Sequence, residues 1–121
     1  MTMAYEKALE GRGFIADCDL SDYQYYAMKL NSDEEVILAS DSGDRAVGVL
    51  QDAPSEAGRP CLLAVSGVTK AVAGETIVAG AAIEVGAGGK FVNLTSGPIA
   101  GIAYTGGDED EQFSLEFITG E

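Results

Sequence analysis

Apolar and polar positions alternate along much of this chain with the period of two that a half-buried strand requires. Within residues 23–30, Tyr26, Met28 and Leu30 fall on one side, and Tyr25, Ala27 and Lys29 on the other. The pattern returns at the far end, where Phe113, Leu115 and Phe117 share one face of residues 112–118. Residues 35–39 come back from an Asn31-Ser32-Asp33 turn, so residues 23–39 read as a hairpin. A helix capped by Ser21 is the alternative for residues 21–30, and the β-favouring aromatics weigh toward a strand. Further strands are expected at 45–51, 60–67, 68–73, 82–85, 90–94 and 99–104, each bounded by glycine-rich or acidic turns. Gly67 is expected to break the run from 60 to 73, and Gly86-Ala87-Gly88-Gly89 to close a hairpin.

Strands this short at this spacing predict a mostly β protein, a small β-barrel or sandwich of antiparallel strands. Residues 1–13 are polar, with Gly11 and Gly13 flanking Arg12, and read as an extended N-terminal arm ahead of a single β domain over 14–121. Such an arm orders only when something ties it down, and an ordinary frayed terminus is the alternative. There is also an internal echo. Ala46-Val47-Gly48-Val49-Leu50 and Ile99-Ala100-Gly101-Ile102-Ala103 share the order aliphatic, aliphatic, Gly, branched, aliphatic. Two copies are too few for a solenoid, whereas a pseudo-symmetric barrel or chance would account for them.

Composition narrows the function classes. With 46% hydrophobic residues in 121, the chain can bury a core of its own. The net charge of −13, from 20 acidic and 7 basic residues, and the scattering of Lys and Arg argue against nucleic acid as a partner. The same sign disfavours an anionic membrane face, and no apolar run is long enough to span a bilayer. Without a leader-like start, the chain is expected to be made and kept in a cytoplasm, with Cys18 and Cys61 as partly buried free thiols.

Candidate chemistry is sparse. The chain has no His, which removes Ser–His–Asp and Cys–His pairs, and two thiols cannot make a four-Cys zinc site. The acidic residues gather in turns, at Asp33-Glu34-Glu35, at Asp41 and Asp44, and at Asp108-Glu109-Asp110-Glu111. A general acid needs burial to raise its pKa, and a charged turn usually faces water. The last run also lacks the alternating spacing of a calcium loop. Gly86-Ala87-Gly88-Gly89-Lys90 has no Ser or Thr after the Lys and precedes a strand, so it is a turn and not a phosphate loop. Asn93-Leu94-Thr95 matches a glycosylation sequon, which matters only in a secreted chain. No enzyme activity, cofactor or metal is expected.

The run Ala46-Val47-Gly48-Val49-Leu50-Gln51-Asp52-Ala53-Pro54, followed by Ala64-Val65-Ser66-Gly67-Val68-Thr69-Lys70-Ala71-Val72-Ala73-Gly74, resembles small tailed-phage capsid decoration (head cement) proteins, a family formerly known as a domain of unknown function. Ile77-Val78-Ala79-Gly80, Gly89-Lys90, Ile99-Ala100-Gly101-Ile102-Ala103, Phe14-Ile15-Ala16 and Tyr25-Tyr26 extend the likeness from about residue 14 onward. The resemblance implies a compact, often trimeric β-barrel-like protein on the outer surface of a phage head, bound to the major capsid protein and to other copies of itself. It carries no catalytic residue to transfer. On that reading, Tyr5, Leu9, Phe14, Tyr23, Tyr25 and Tyr26 are the candidate interface residues, because Tyr joins apolar area to a hydrogen-bonding tip. The competing reading is a carbohydrate- or ligand-binding β module of a virion, with Tyr5, Tyr23, Tyr25 and Tyr104 as stacking platforms.

Overall fold

A computed structural model describes residues 7–39, 44–95 and 97–118. Its strands are β1 (Lys7–Ile15), β2 (Ala27–Leu30), β3 (Val36–Leu38), β4 (Gly48–Leu50), β5 (Pro60–Val72), β6 (Ala82–Val85), β7 (Phe91–Asn93), β8 (Gly101–Ala103) and β9 (Gln112–Phe117). They form one curled, antiparallel sheet in the order β3-β2-β4-β5-β9-β8-β6-β7, with β1 also pairing β5. The mostly β architecture expected from the alternation is what forms. The expected glycine hairpin is present as a 3-10 turn, Ala87–Gly89, between β6 and β7.

Two local expectations are corrected. Residues 23–26 are turns and not the start of a strand: Tyr23 N–H donates to Leu20 O and Tyr26 N–H to Tyr23 O, both at 3.0 Å. Tyr25 takes a φ of 71°, which ends any extended run. Gly67 does not end its strand either. With a φ of 92° it lies in β5 where pairing passes from β4 to β9, and the ladder continues through it. Of the expected arm, residues 1–6 lie outside the described residues, whereas 7–13 belong to β1, paired in part through a bulge with β5.

The sheet order is a repeat. A first unit comprises β1, the β2–β3 hairpin, β4 and the first part of β5; a second comprises the rest of β5, the β6–β7 hairpin, β8 and β9. Met28 pairs with Gly48 as Ile83 pairs with Gly101. Leu50 pairs with Leu63 as Ala103 pairs with Leu115. A parallel bridge joins Ala16 to Val36 in one unit and Ala73 to Phe91 in the other, curling each unit back on its own start. Irregular bonds repeat as well: Tyr25 N–H donates to Leu50 O and Gly80 N–H to Ala103 O, each at 2.7 Å. Left-handed backbone recurs at Tyr25 and Gly80, Glu34 and Gly89, and Gly58 and Asp110. The echo read from the sequence at Gly48 and Gly101 is therefore the visible trace of a repeated unit.

The cores repeat too. Ala16, Leu20, Met28, Val36, Leu50, Cys61 and Leu63 pack inside the first unit. Ala73, Ile77, Ile83, Phe91, Ala103, Phe113 and Leu115 hold the matching places in the second. Phe91 and Phe113 meet edge to face at 6.5 Å. The alternation seen in β9 places Phe113, Leu115 and Phe117 in this core, all buried, each such side chain contributing about 1.5–3 kcal/mol on burial.

Candidate docking surface

The aromatic residues singled out in the sequence divide between the two cores. Phe14, Tyr23 and Tyr26 are partly buried against the first, with Tyr23 and Tyr26 edge to face at 5.3 Å and 78°. Tyr25 packs against the larger cluster that contains the second core. Its carbonyl accepts from Val72 N–H at 3.2 Å, and Lys70 Nζ stands 5.8 Å from its ring centroid. Tyr25 thus sits where the two units meet. Leu9 lies on β1, and Tyr5 lies outside the described residues. Phe14, Tyr23 and Tyr26 on the one hand and Tyr25 on the other are split between the two cores, and much of the apolar area of Tyr23, Tyr25 and Tyr26 is spent within the molecule. Among the stacking platforms considered, Tyr104 is exposed, and its hydroxyl donates to Glu116 Oε1 at 2.7 Å.

The acidic turn at residues 108–111 is tied to its own backbone and to the turn before β7. Lys90 pairs with Asp110, which raises the Lys90 pKa, first through that hydrogen bond. Glu111 Oε1 accepts from Asp108 N–H at 2.9 Å. Asp108 and Glu111 line an open depression of about 610 Å³ together with Ile77, Val78, Gly106 and Gln112, and both are exposed. One carboxylate departs from this pattern. Glu84 is buried on β6 and accepts from Thr95 Oγ1 at 2.7 Å and from Gly97 N–H at 2.6 Å, tying down the loop after β7.

The two thiols differ from the shared partial burial expected of them. Cys61 is buried in the first core, and desolvation, aided by Asp52, pushes its pKa up to about 11. Cys18 is exposed on the acidic turn after β1; residual desolvation, then Asp17 and Asp19, raise its pKa. Neither is poised as a thiolate.

Pattern reading missed the exposed aliphatics. Ile15 and Leu62 stand out on the β1–β5 side of the first unit, and Leu94, Ile99 and Ile118 on the second. Single exposed apolar residues are common, and these become informative only when set against their counterparts in the other unit.

The sequence matches no protein-family model and no curated protein. The fold does have a solved counterpart. It is similar to the N base of the head fiber gp8.5 of bacteriophage phi29, with a TM-score of 0.63 over 93% of this chain and 97% of that one. The two sequences are 18% identical, so the likeness is one of fold.

Proposed function

We propose that this chain is a structural protein of a tailed-phage virion, a decoration protein that binds the outer surface of the head and stabilises the shell. The observation that carries the reading is the fold likeness, over nearly the full length of both chains, to the base of a phage head fiber. The sequence resemblance to capsid decoration proteins points the same way. In this role the protein acts by contact. Its partners are the major capsid protein and further copies of itself, and it needs no cofactor, metal, nucleic acid or membrane.

The physics of such a role is mass action. A protein that binds the assembled shell and not its dissociated subunits adds its binding free energy to the shell. Many copies, each touching more than one capsid subunit, gain avidity without tight single contacts. The charge of −13 keeps unbound copies soluble and apart. A small, well-packed sheet with acidic turns such as 33–35 and 108–111 suits that task.

The test adds purified protein to expanded phage heads that lack it. Co-sedimentation with the heads and a higher disruption temperature are expected. Heads that neither retain the protein nor gain heat resistance contradict the reading.

A further inference from the structure

The two units are built alike but covered unlike. In the first unit Ala27, Ala39, Ala46, Val49 and Ala64 form an outer face that is fully or almost fully buried, in one cluster with Ala71, Phe113 and Leu115. Ala27 pairs with Val49 as Ala82 pairs with Ile102, and Val49 with Ala64 as Ile102 with Glu116. Ala39 N–H donates to Ala27 O as Leu94 N–H donates to Ala82 O, and Ala46 corresponds to Ile99 in the pentapeptide echo. The equivalent face of the second unit is therefore made by Ala82, Leu94, Ile99, Ile102 and Glu116. It is open: Leu94 and Ile99 are each 38% exposed, where Ala39 and Ala46 are 0% and 6%.

Contact with solvent has not made this open face polar. Three of its positions carry larger aliphatic side chains than their buried counterparts: Leu94 for Ala39, Ile99 for Ala46 and Ile102 for Val49. Ile118, two residues past Glu116 and 40% exposed, extends the patch. A contiguous aliphatic patch on a strongly charged molecule marks a contact site. The charge it carries is that of Glu116, half-buried, whose Oε1 accepts from the Tyr104 hydroxyl at 2.7 Å. The cations of residues 67–118, Lys70 and Lys90, are engaged elsewhere. Lys70 Nζ lies 5.8 Å from the Tyr25 ring centroid, and Lys90 pairs with Asp110.

We infer that this face is the head-binding surface, and that it meets a capsid patch of aliphatic side chains with a Lys or Arg set against Glu116. The assignment rests on the head-binding role proposed above and names the chemistry of its partner. Covering Glu116 with an apolar or acidic surface strands a desolvated carboxylate, whereas a cation there compensates it. The net charge of −13 favours a basic partner in the same sense and disfavours a second copy of this chain. The aliphatic centre supplies burial, and the charged edge supplies orientation and a faster encounter.

The test measures how much of the full chain is retained by phage heads that lack it, by co-sedimentation across a range of salt. Wild-type protein is expected to be retained, and less so as salt screens the pairing. Ile99→Asn is expected to weaken retention by on the order of tenfold or more. Leu94→Asn reads the same face should that variant unfold, and thermal unfolding verifies each. Glu116→Gln is expected to bind more weakly and with a shallower dependence on salt. Leu62→Asn, at a position 43% exposed on the first unit, is expected to bind as wild type does. Wild-type retention of both Ile99→Asn and Leu94→Asn overturns the face and leaves the head-binding role standing. Heads that do not retain the wild type remove that role, and this surface with it. Retention indifferent to salt and to Glu116→Gln overturns the cationic partner. Self-association that light scattering detects in the wild type and not in Ile99→Asn gives the face to a second copy, and likewise overturns the proposal.

Discussion

Gly48 and Gly101 are glycines because another backbone passes where a side chain would stand. A Cβ on Gly48 would lie 2.9 Å from Ala64 O and from Leu63 Cβ; on Gly101 it would lie 2.1 Å from Glu116 O. Leu63 and Ala64 correspond to Leu115 and Glu116, so the same close approach occurs twice. Overfilling such a contact costs about 1–3 kcal/mol. Gly101→Ala is expected to lower unfolding stability by at least that much and by more than Gly48→Ala, as read by urea denaturation; equal or negligible losses would contradict the geometry. These glycines were also the most legible residues in the sequence, since they anchor the echo. The aromatics offered as interface candidates were less legible. An aromatic run signals a large apolar payload but not which core takes it up, and Tyr25 turns with a φ of 71° at a position whose counterpart is Gly80.

The repeating element is a hairpin followed by a strand that pairs back on it, and its alternation could be read directly because each strand has one face in a core. What could not be read was where a strand continues or stops. β5 runs from Pro60 to Val72 through Gly67, since its pairing passes from β4 to β9 without interruption. Residues 23–26 turn because backbone bonds to Leu20, Tyr23 and Leu50 outweigh the strand preference of their aromatics. The elements also differ in how they hold their connecting loops. In the first unit Lys29 on β2 pairs with Asp44 at 3.0 Å. The equivalent position on β6 is Glu84, which grips Thr95 and Gly97. Hydrogen bonds to a charged group contribute roughly 1.5–3 kcal/mol each. Glu84→Gln is expected to destabilise the fold by about 1–3 kcal/mol and to speed amide exchange at Gly97. Unaltered exchange there would remove Glu84 from this role.

At the scale of the whole molecule, a repeated unit and a strongly acidic surface are the two facts that bear on function. The repeat was half visible: one pentapeptide echo survived in the sequence, whereas the remaining equivalences join unlike residues, such as Cys61 with Phe113 and Val36 with Phe91, and emerge only from register. The candidate docking surface was hidden for the same reason. Leu94 and Ile99 look like ordinary strand residues until their buried counterparts, Ala39 and Ala46, show what covers that face elsewhere. The proposed role, contact with a phage head, sets the acidic turns beside the likeness of fold to a head fiber base. Cryo-electron microscopy of heads with and without the protein tests that claim most directly. The account predicts difference density on the outer surface of the shell that accommodates the curled sheet and touches the major capsid protein; heads whose outer surface is identical in the two maps would contradict it.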